Sequence, residues 1–308
     1  MKTPPLIVSF LPSATEIACA LGLSDQLIGI THECDYPPEI KGKPVVVRNA
    51  LPIATMSQWE VDRAVSQRMR EGLSLYVVDE RLLQELAPDL ILTQDLCQVC
   101  APSGNEVSQA LKLFARKPRV LWLTPNSLEQ IDANVRDLGA ATGRVREAEE
   151  LIAKGRARLE KITAVTRNLA QPRVFCMEWF DPIYCSGHWV PEMVRLAGGV
   201  DQLSRAGANS VRIDWDDVLA WAPEVLILTP CGFNLEQTVE QAGQLFTYPG
   251  WLEIPAVRDG RVYAVDGNSY FARPGPRVVD GTELLASLIH PELFSWDGPA
   301  TAYQQLEL

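Results

Sequence analysis

Ala87-Pro88-Asp89-Leu90-Ile91-Leu92-Thr93 sets the reading of this chain, because it returns as Ala222-Pro223-Glu224-Val225-Leu226-Ile227-Leu228-Thr229. The offset, 222 − 87, is 135 residues, and each copy joins an acidic helical stretch to a short apolar strand. Asp79 to Leu83 leads into the first copy and Asp216 to Leu219 into the second, and a cysteine follows each, Cys97 and Cys231. Helices end at or before the residue preceding a proline, and an unbroken Leu/Ile/Val run suits a strand buried on both faces. Two copies of one α/β lobe explain the match. The plainer alternative is a chance recurrence of a joint common wherever helices and strands alternate.

Upstream of the first copy, Leu6 to Leu11 is a strand candidate, and Ser13 with Glu16 resembles a capping box opening a helix from Thr15 to Leu21 that Gly22 ends. A second strand, Leu27 to Thr31, leads into the turn-rich stretch His32 to Pro38, while Arg81 to Leu86 is helical and feeds the strand Leu90 to Thr93. Between the copies, Val145, Ala148, Ile152, Leu159 and Ile162 fall at three- or four-residue multiples within the charged segment Arg144 to Leu169. That is an amphipathic helix, about 37 Å long at 1.5 Å per residue, and a stiff connector rather than a flexible tether. Gly155 weakens it by ~1 kcal/mol. The expected fold class is therefore α/β: two Rossmann-like lobes with mostly parallel sheets, joined by one long rigid interdomain helix. Residues 1–125 form the N-terminal lobe, 126–171 a connecting region with the long helix at about 144–169, and 172–308 the C-terminal lobe and tail. The Pro-rich, Trp-containing tail beyond His290 has no assignment.

Composition narrows the function. The chain has 308 residues with 47% hydrophobic and 22% charged, ordinary for a folded globular protein of two domain-sized cores. A net charge of −11 opposes nucleic-acid binding, which runs on Lys and Arg neutralising phosphates. No stretch approaches the 18 or so apolar residues of a membrane span. Residues 1–5 run straight into Leu6 to Leu11 with no basic region or cleavage site, so the chain as written reads as cytoplasmic, and as periplasmic if it has been trimmed. The seven cysteines are an odd number, and Cys97 with Cys100 is the close pair, so reduced thiols are the default expectation. No G-x-S-x-G elbow, G-x-x-x-x-G-K loop or H-E-x-x-H helix is present, and the chain is not expected to be an enzyme.

Four segments carry a family resemblance: Ile7 to Glu16 with Leu21-Gly22-Leu23, Leu86 to Ile91, Met193-Val194-Arg195-Leu196-Ala197-Gly198-Gly199, and Arg273-Pro274-Gly275-Pro276-Arg277. In this order and spacing, over roughly residues 6–290, the chain resembles the substrate-binding proteins of ABC importers whose lobes are joined by one rigid helix, carriers of cobalamin and ferric siderophores. It resembles most the cobalamin-binding branch, through Thr31-His32-Glu33-Cys34-Asp35-Tyr36-Pro37-Pro38 and Thr93-Gln94-Asp95-Leu96-Cys97-Gln98-Val99-Cys100. The resemblance implies capture of a corrinoid without chemical conversion and an ABC-transporter permease as partner. Lobe-tip acids that dock on the permease would fall at Glu80 and Asp216.

Ligands of such folds sit beyond the carboxyl ends of the parallel strands. The strand reading puts Phe10, Ser13, His32, Tyr36, Gln94, Glu178, Trp179, Phe180, Phe233, Asn268, Tyr270 and Phe271 there, with Trp59 and Trp189 close in sequence. Flat rings suit a broad, partly apolar disc such as a corrin, and Asn268, Glu178 and Gln94 offer bonds to peripheral amides. The same rings equally suit core filling. His32, Cys34, Cys97 and Cys100 form an H-x-C and a C-x-x-C, fit for a tetrahedral zinc site, a redox pair, or reduced packed thiols. His32 is also a candidate axial nitrogen for a bound cobalt, and His188 a second ligand candidate. His290, Cys19 and Cys176 read as inert. No cofactor is required; zinc is possible, and cobalamin enters as ligand. A ferric siderophore would instead ask for convergent positive groups, for which Arg48, Arg212 and Arg273 are the candidates.

Overall fold

The computed structural model describes residues 4–94, 111–112 and 114–307. The chain divides into two compact units, Met1–Pro125 with Glu129–Ala153, and Asn126–Leu128 with Lys154–Leu308. It therefore passes between units three times, the last passage falling inside one long helix.

The first lobe begins β1 (Ile7–Ser9), α1 (Pro12–Ala20), β2 (Leu27–Thr31), β3 (Val45–Asn49), α2 (Gln58–Arg70), β4 (Tyr76–Val78), α3 (Glu80–Leu86), β5 (Leu90–Thr93) and β6 (Arg119–Trp122). The helices α4 (Leu128–Thr142) and α5 (Val145–Thr166) follow. Its six strands lie in the order β4-β3-β2-β1-β5-β6, all neighbours parallel except β3 with β4. Alternate residues of the central strands feed opposite cores. Ile7, Leu90 and Leu92 pack with Leu11, Ile17 and Leu138, whereas Val8 and Ile91 pack with Phe10, Val46 and Leu83. That two-sided burial is why these strands read as continuous apolar runs.

The second lobe continues with β7 (Val174–Phe180), β8 (Ile183–Cys185), α6 (Val190–Leu196), α7 (Trp215–Trp221), β9 (Val225–Leu228), α8 (Leu235–Ala242), α9 (Pro255–Arg258), β10 (Val262–Val265), α10 (Gly267–Tyr270), α11 (Val278–Ile289) and β11 (Tyr303–Gln305). The order is β11-β10-β9-β7-β8, with β7, β9 and β10 parallel and both edge strands antiparallel. The unassigned tail thus closes one sheet edge, Tyr303 to Gln305 pairing with Val265 to Tyr263. Protecting an edge in this way removes a template for unwanted strand pairing.

The repeated joint is real at the level of single hydrogen bonds. Ala87 and Ala222 both cap their helices in the left-handed region, at φ 44° and 49°. Each donates its amide one turn back, to Leu83 and Val218. The amides of Asp89 and Leu90 both donate to the Leu6 carbonyl, and those of Glu224 and Val225 to the Arg173 carbonyl. In return Asp89 accepts from the Leu6 amide at 3.2 Å and Glu224 from the Arg173 amide at 2.8 Å.

One local expectation is corrected. The strand expected over Leu6 to Leu11 is confined to Ile7–Ser9, and α1 starts at Pro12, with Leu11 as N-cap and no side-chain cap. Proline at the first helical position presets the entry dihedral, so Ser13 and Glu16 lie buried inside the helix rather than forming a capping box. At Gly155 α5 packs closely on α11, as tertiary packing that offsets the glycine would: a Cβ there would stand 3.2 Å from Val279 Cγ2. Arg158, a turn further along, donates to Glu283 Oε1 at 2.8 Å and also reaches Asp280, tying α5 to α11 within the second lobe. Among the described residues no helix is long and apolar enough to cross a membrane.

Candidate functional site

Parallel strands bring their carboxyl ends to one edge of each sheet, so the loops leaving those ends form the candidate site of each lobe. In the first lobe Phe10, Ser13 and Gln94 stand at such ends and are buried, Phe10 within the core group of Val8 and Ile91. Tyr36 is exposed, and so is Trp59 on α2, with the Arg63 guanidinium 5.2 Å from its ring centroid. The sequence reading missed Trp122, an exposed ring on the last residue of β6. Its signal was available in the run Arg119-Val120-Leu121-Trp122, a short apolar strand where the topology needs a parallel neighbour for β5.

His32 follows directly on β2. Its amide donates to the Val47 carbonyl at 3.0 Å, and its ring Nδ1 lies 3.2 Å from the same carbonyl and 3.2 Å from Thr31 Oγ1. A carbonyl oxygen only accepts, so Nδ1 carries the proton and Nε2 keeps its lone pair in the neutral ring. Nε2 is covered and has no hydrogen-bond partner among the described residues; Glu33 Oε1 lies 3.9 Å away. Burial, with the Arg48 charge, holds the imidazole below its ordinary pKa, against the opposing pull of the Val47 carbonyl.

Cys34 turns toward the first helix: its Sγ lies 3.1 Å from Thr15 Oγ1 and packs against the core group of Ile7 and Ile17. Cys97 and Cys100, the other half of the expected metal or redox set, lie outside the described residues. Among the described residues no group of three or more His, Cys, Asp and Glu is arranged to hold a metal, and Cys19, Cys34, Cys176, Cys185 and Cys231 are free thiols.

In the second lobe Trp179, near the end of β7, meets Phe233 beyond β9 edge to face, with centroids 5.5 Å apart. The pair is half buried, and the indole Nε1 of Trp179 is a covered donor with no partner among the described residues. Asn268, beyond β10, donates its amide to the Phe233 carbonyl at 3.0 Å, so all three parallel strand ends converge on this pair. Beside it Glu178 accepts from Ser210 Oγ at 2.8 Å. Ser210 had no local sequence signal. It arrives because Gly187 lets the backbone pass: a Cβ there would fall 2.6 Å from the Ala208 carbonyl.

The remaining candidate rings of this lobe are buried. Phe180 lies in the core group of Phe175 and Leu226, Phe271 is covered, and the Trp189 indole donates to the Phe271 carbonyl at 2.9 Å. Tyr270 is covered by Trp296 from the tail, centroids 5.6 Å apart. His188, at φ 53°, sets Nδ1 3.2 Å from Asn126 Oδ1, and burial lowers its pKa; Glu192 nearby accepts the Leu128 amide at 2.9 Å. His290 has Nε2 3.2 Å from the Gly198 carbonyl and Nδ1 3.7 Å from Glu292. Cys176 is fully buried, and its amide approaches Asp201, whose carboxylate also accepts from the Leu203 and Ser204 amides and Ser204 Oγ. Burial nonetheless lifts the Asp201 carboxyl to about 6. Of the three arginines, Arg273 is buried, Arg212 folds over the Tyr184 ring and donates to its hydroxyl, and Arg48 is exposed.

Comparison with known proteins places this geometry. The family described as periplasmic binding protein matches residues 7–268. An uncharacterised ABC transporter substrate-binding lipoprotein of Bacillus subtilis is 27% identical over 95% of this chain and 82% of its own. A vitamin B12-binding protein of Vibrio cholerae is 24% identical, covering 92% of this chain and 88% of its own. Among solved structures, the periplasmic vitamin B12-binding protein of Vibrio cholerae superposes with a TM-score of 0.67 at 21% identity over 94% of this chain and 98% of that one. The periplasmic haem-binding protein of Roseiflexus sp. RS-1 gives 0.70 at 22% over 94% and 99%. These likenesses correct the expectation of a cytoplasmic chain, since the relatives are periplasmic proteins or a lipoprotein and stand outside the cytoplasm.

Proposed function

The chain belongs to the periplasmic binding protein family, and from that premise we propose that it works outside the cytoplasm as the substrate-binding protein of an ABC importer, with a corrinoid as its ligand. The ligand is held and delivered, not transformed. The observation that supports the corrinoid is the Trp179–Phe233 pair, a half-buried aromatic face at the meeting of three strand ends, with Asn268, Glu178 and Ser210 beside it. Such a face covers a broad apolar disc, and the hydrogen-bonding groups at its border suit peripheral amides. A strongly anionic iron chelate fits less well, because it asks for convergent positive groups and, of the three candidates, Arg273 is buried and Arg212 is engaged with Tyr184, which leaves Arg48. Glu80 and Asp216, exposed acids in the first turns of α3 and α7, are the positions we assign to docking on the permease.

Titration with cobalamin, followed in the visible spectrum beside ferric haem and a ferric siderophore, tests the ligand. Tightest binding of cobalamin is expected. Trp179→Ala should weaken it by about 2 kcal/mol, roughly thirtyfold, the scale of a central aromatic anchor. Absence of cobalamin binding by the intact protein, with haem or siderophore bound instead, overturns the corrinoid assignment.

A further inference from the structure

We infer that the second lobe carries an aromatic shelf, formed by Phe246, Trp251 and Leu252 beside the first turn of α7, on which an apolar, Lys/Arg-rimmed surface of the permease docks. The inference rests on the importer reading above and adds to Asp216 an apolar surface that the family resemblance does not supply.

The shelf grows out of a packed stack of rings. Trp215, the first residue of α7, meets Tyr248 with centroids 4.8 Å apart and stacks on Trp251 at 6.1 Å. Its indole donates to the Pro249 carbonyl at 2.6 Å, and the Tyr248 hydroxyl donates to the Phe180 carbonyl at 3.1 Å. Trp251 is buried in the core group of Phe175 and Leu226, so the segment is fixed to the lobe before any partner arrives. What it turns outward is apolar. The Phe246 ring, 5.7 Å from that of Trp251, is 46% exposed, and Leu252, the residue after Trp251, is 72% exposed. One exposed leucine is ordinary on a protein surface, but an exposed Phe and Leu attached to one rigid indole form a patch of the kind that marks an interface. A surface already held in shape loses little freedom on docking.

Charge identifies the occupant. Between Arg212 and Arg258 the chain has seven acidic residues and not one lysine or arginine. Asp214, Asp216 and Asp217 surround Trp215 in sequence, Glu253 follows Leu252, and all four are exposed. A second copy of this chain is a poor occupant, because a two-fold contact would set these acids against themselves. An anionic lipid surface is repelled for the same reason. The surface that complements the shelf is a protein face with an apolar centre and a basic rim, the usual anatomy of an interface, and the permease is the protein that an importer's binding protein must meet.

The experiment places photoreactive benzoylphenylalanine in the full chain at Phe246, at Leu252, at Asp216 and, as a control on α5, at Val165, irradiates the cells and identifies each adduct by mass spectrometry. Adducts to a permease subunit are expected from the first three positions and none from the fourth. In proteoliposomes holding the permease and its ATPase, Phe246→Ser and Leu252→Ser should each weaken docking about tenfold while cargo binding by the free protein stays unchanged. That loss should persist in high salt, whereas the loss in Asp216→Asn should fade as salt screens the charge. Permease adducts from Asp216 but not from Phe246 or Leu252, or serine variants that dock like the wild type, overturn the shelf and leave the importer reading standing. Adducts from Phe246 and Leu252 to a second copy or to lipid overturn the choice of occupant. No permease adduct from any position overturns both the shelf and the importer reading.

Discussion

The two copies of the helix–strand joint, Asp79 to Thr93 and Asp214 to Thr229, share a backbone and differ in how it is held. Both place alanine in the left-handed region, a conformation that costs roughly 1 kcal/mol for a residue with a Cβ. In the first copy Asp79 caps α3, accepting the Leu82 amide at 2.9 Å. In the second Asp214 makes no such bond; the joint is held from outside, by Arg173 Nε donating to the Ala222 carbonyl at 2.9 Å and the Trp221 indole to the Val174 carbonyl at 3.0 Å. What repeats is the set of backbone groups that need partners, and the side chains that satisfy them are free to vary.

Asp201 gives the widest predicted gap between the lobes, because the carboxyl buried in the second has its pKa raised to about 6 from 3.8. The unfolded chain releases this proton first as pH rises, so the contribution favours the folded state at acid pH and is lost between about pH 4 and 6. The loss is at most about 3 kcal/mol. Denaturant titrations across that range should show Asp201→Asn abolishing this slope; an unchanged slope would mean the carboxyl titrates normally. Next, Glu224→Ala should cost about 2 kcal/mol and Asp89→Ala about 1 kcal/mol, since the first removes the acceptor of the Arg173 amide, bonded at 2.8 Å just before β7, and the second that of the Leu6 amide, bonded at 3.2 Å just before β1. Equal losses in urea melts would erase the distinction. The smallest contrast lies at the caps: Asp79→Ala should cost about 1 kcal/mol and Asp214→Ala only a few tenths, and a reversed order would show that Asp214 caps in solution.

Much of this architecture is legible in the residues. The strand Leu27–Thr31 has the bounds its sequence suggests, and the helix read from Arg144 to Leu169 runs Val145–Thr166. Continuous apolar runs and a 3.6-residue period are local signals, and these elements obey them. The start of α1 was misread because Pro12 and the pair Ser13/Glu16 offer competing helix starts three residues apart, and packing chose the proline. The last strand was illegible because three residues on an edge carry too little pattern to stand out.

At the candidate site, sequence finds the loops but not which rings lie free. Trp179 stays half buried while Phe180, the next residue, is fully covered, because successive strand residues face opposite sides of the sheet. Trp122 and Ser210 were missed for a different reason. Each reaches its place through a neighbour distant in sequence, β5 for the first and Gly187 for the second.

The threefold passage of the chain between its units has a practical corollary. Neither unit is one uninterrupted stretch, since the first needs Glu129–Ala153 and the second holds Asn126–Leu128 through His188 and Glu192. A single nick at Pro125 therefore does not sever the protein into its natural halves. The resulting pieces must interlock to rebuild the first core, which makes that bond the place to split the protein for a complementation reporter.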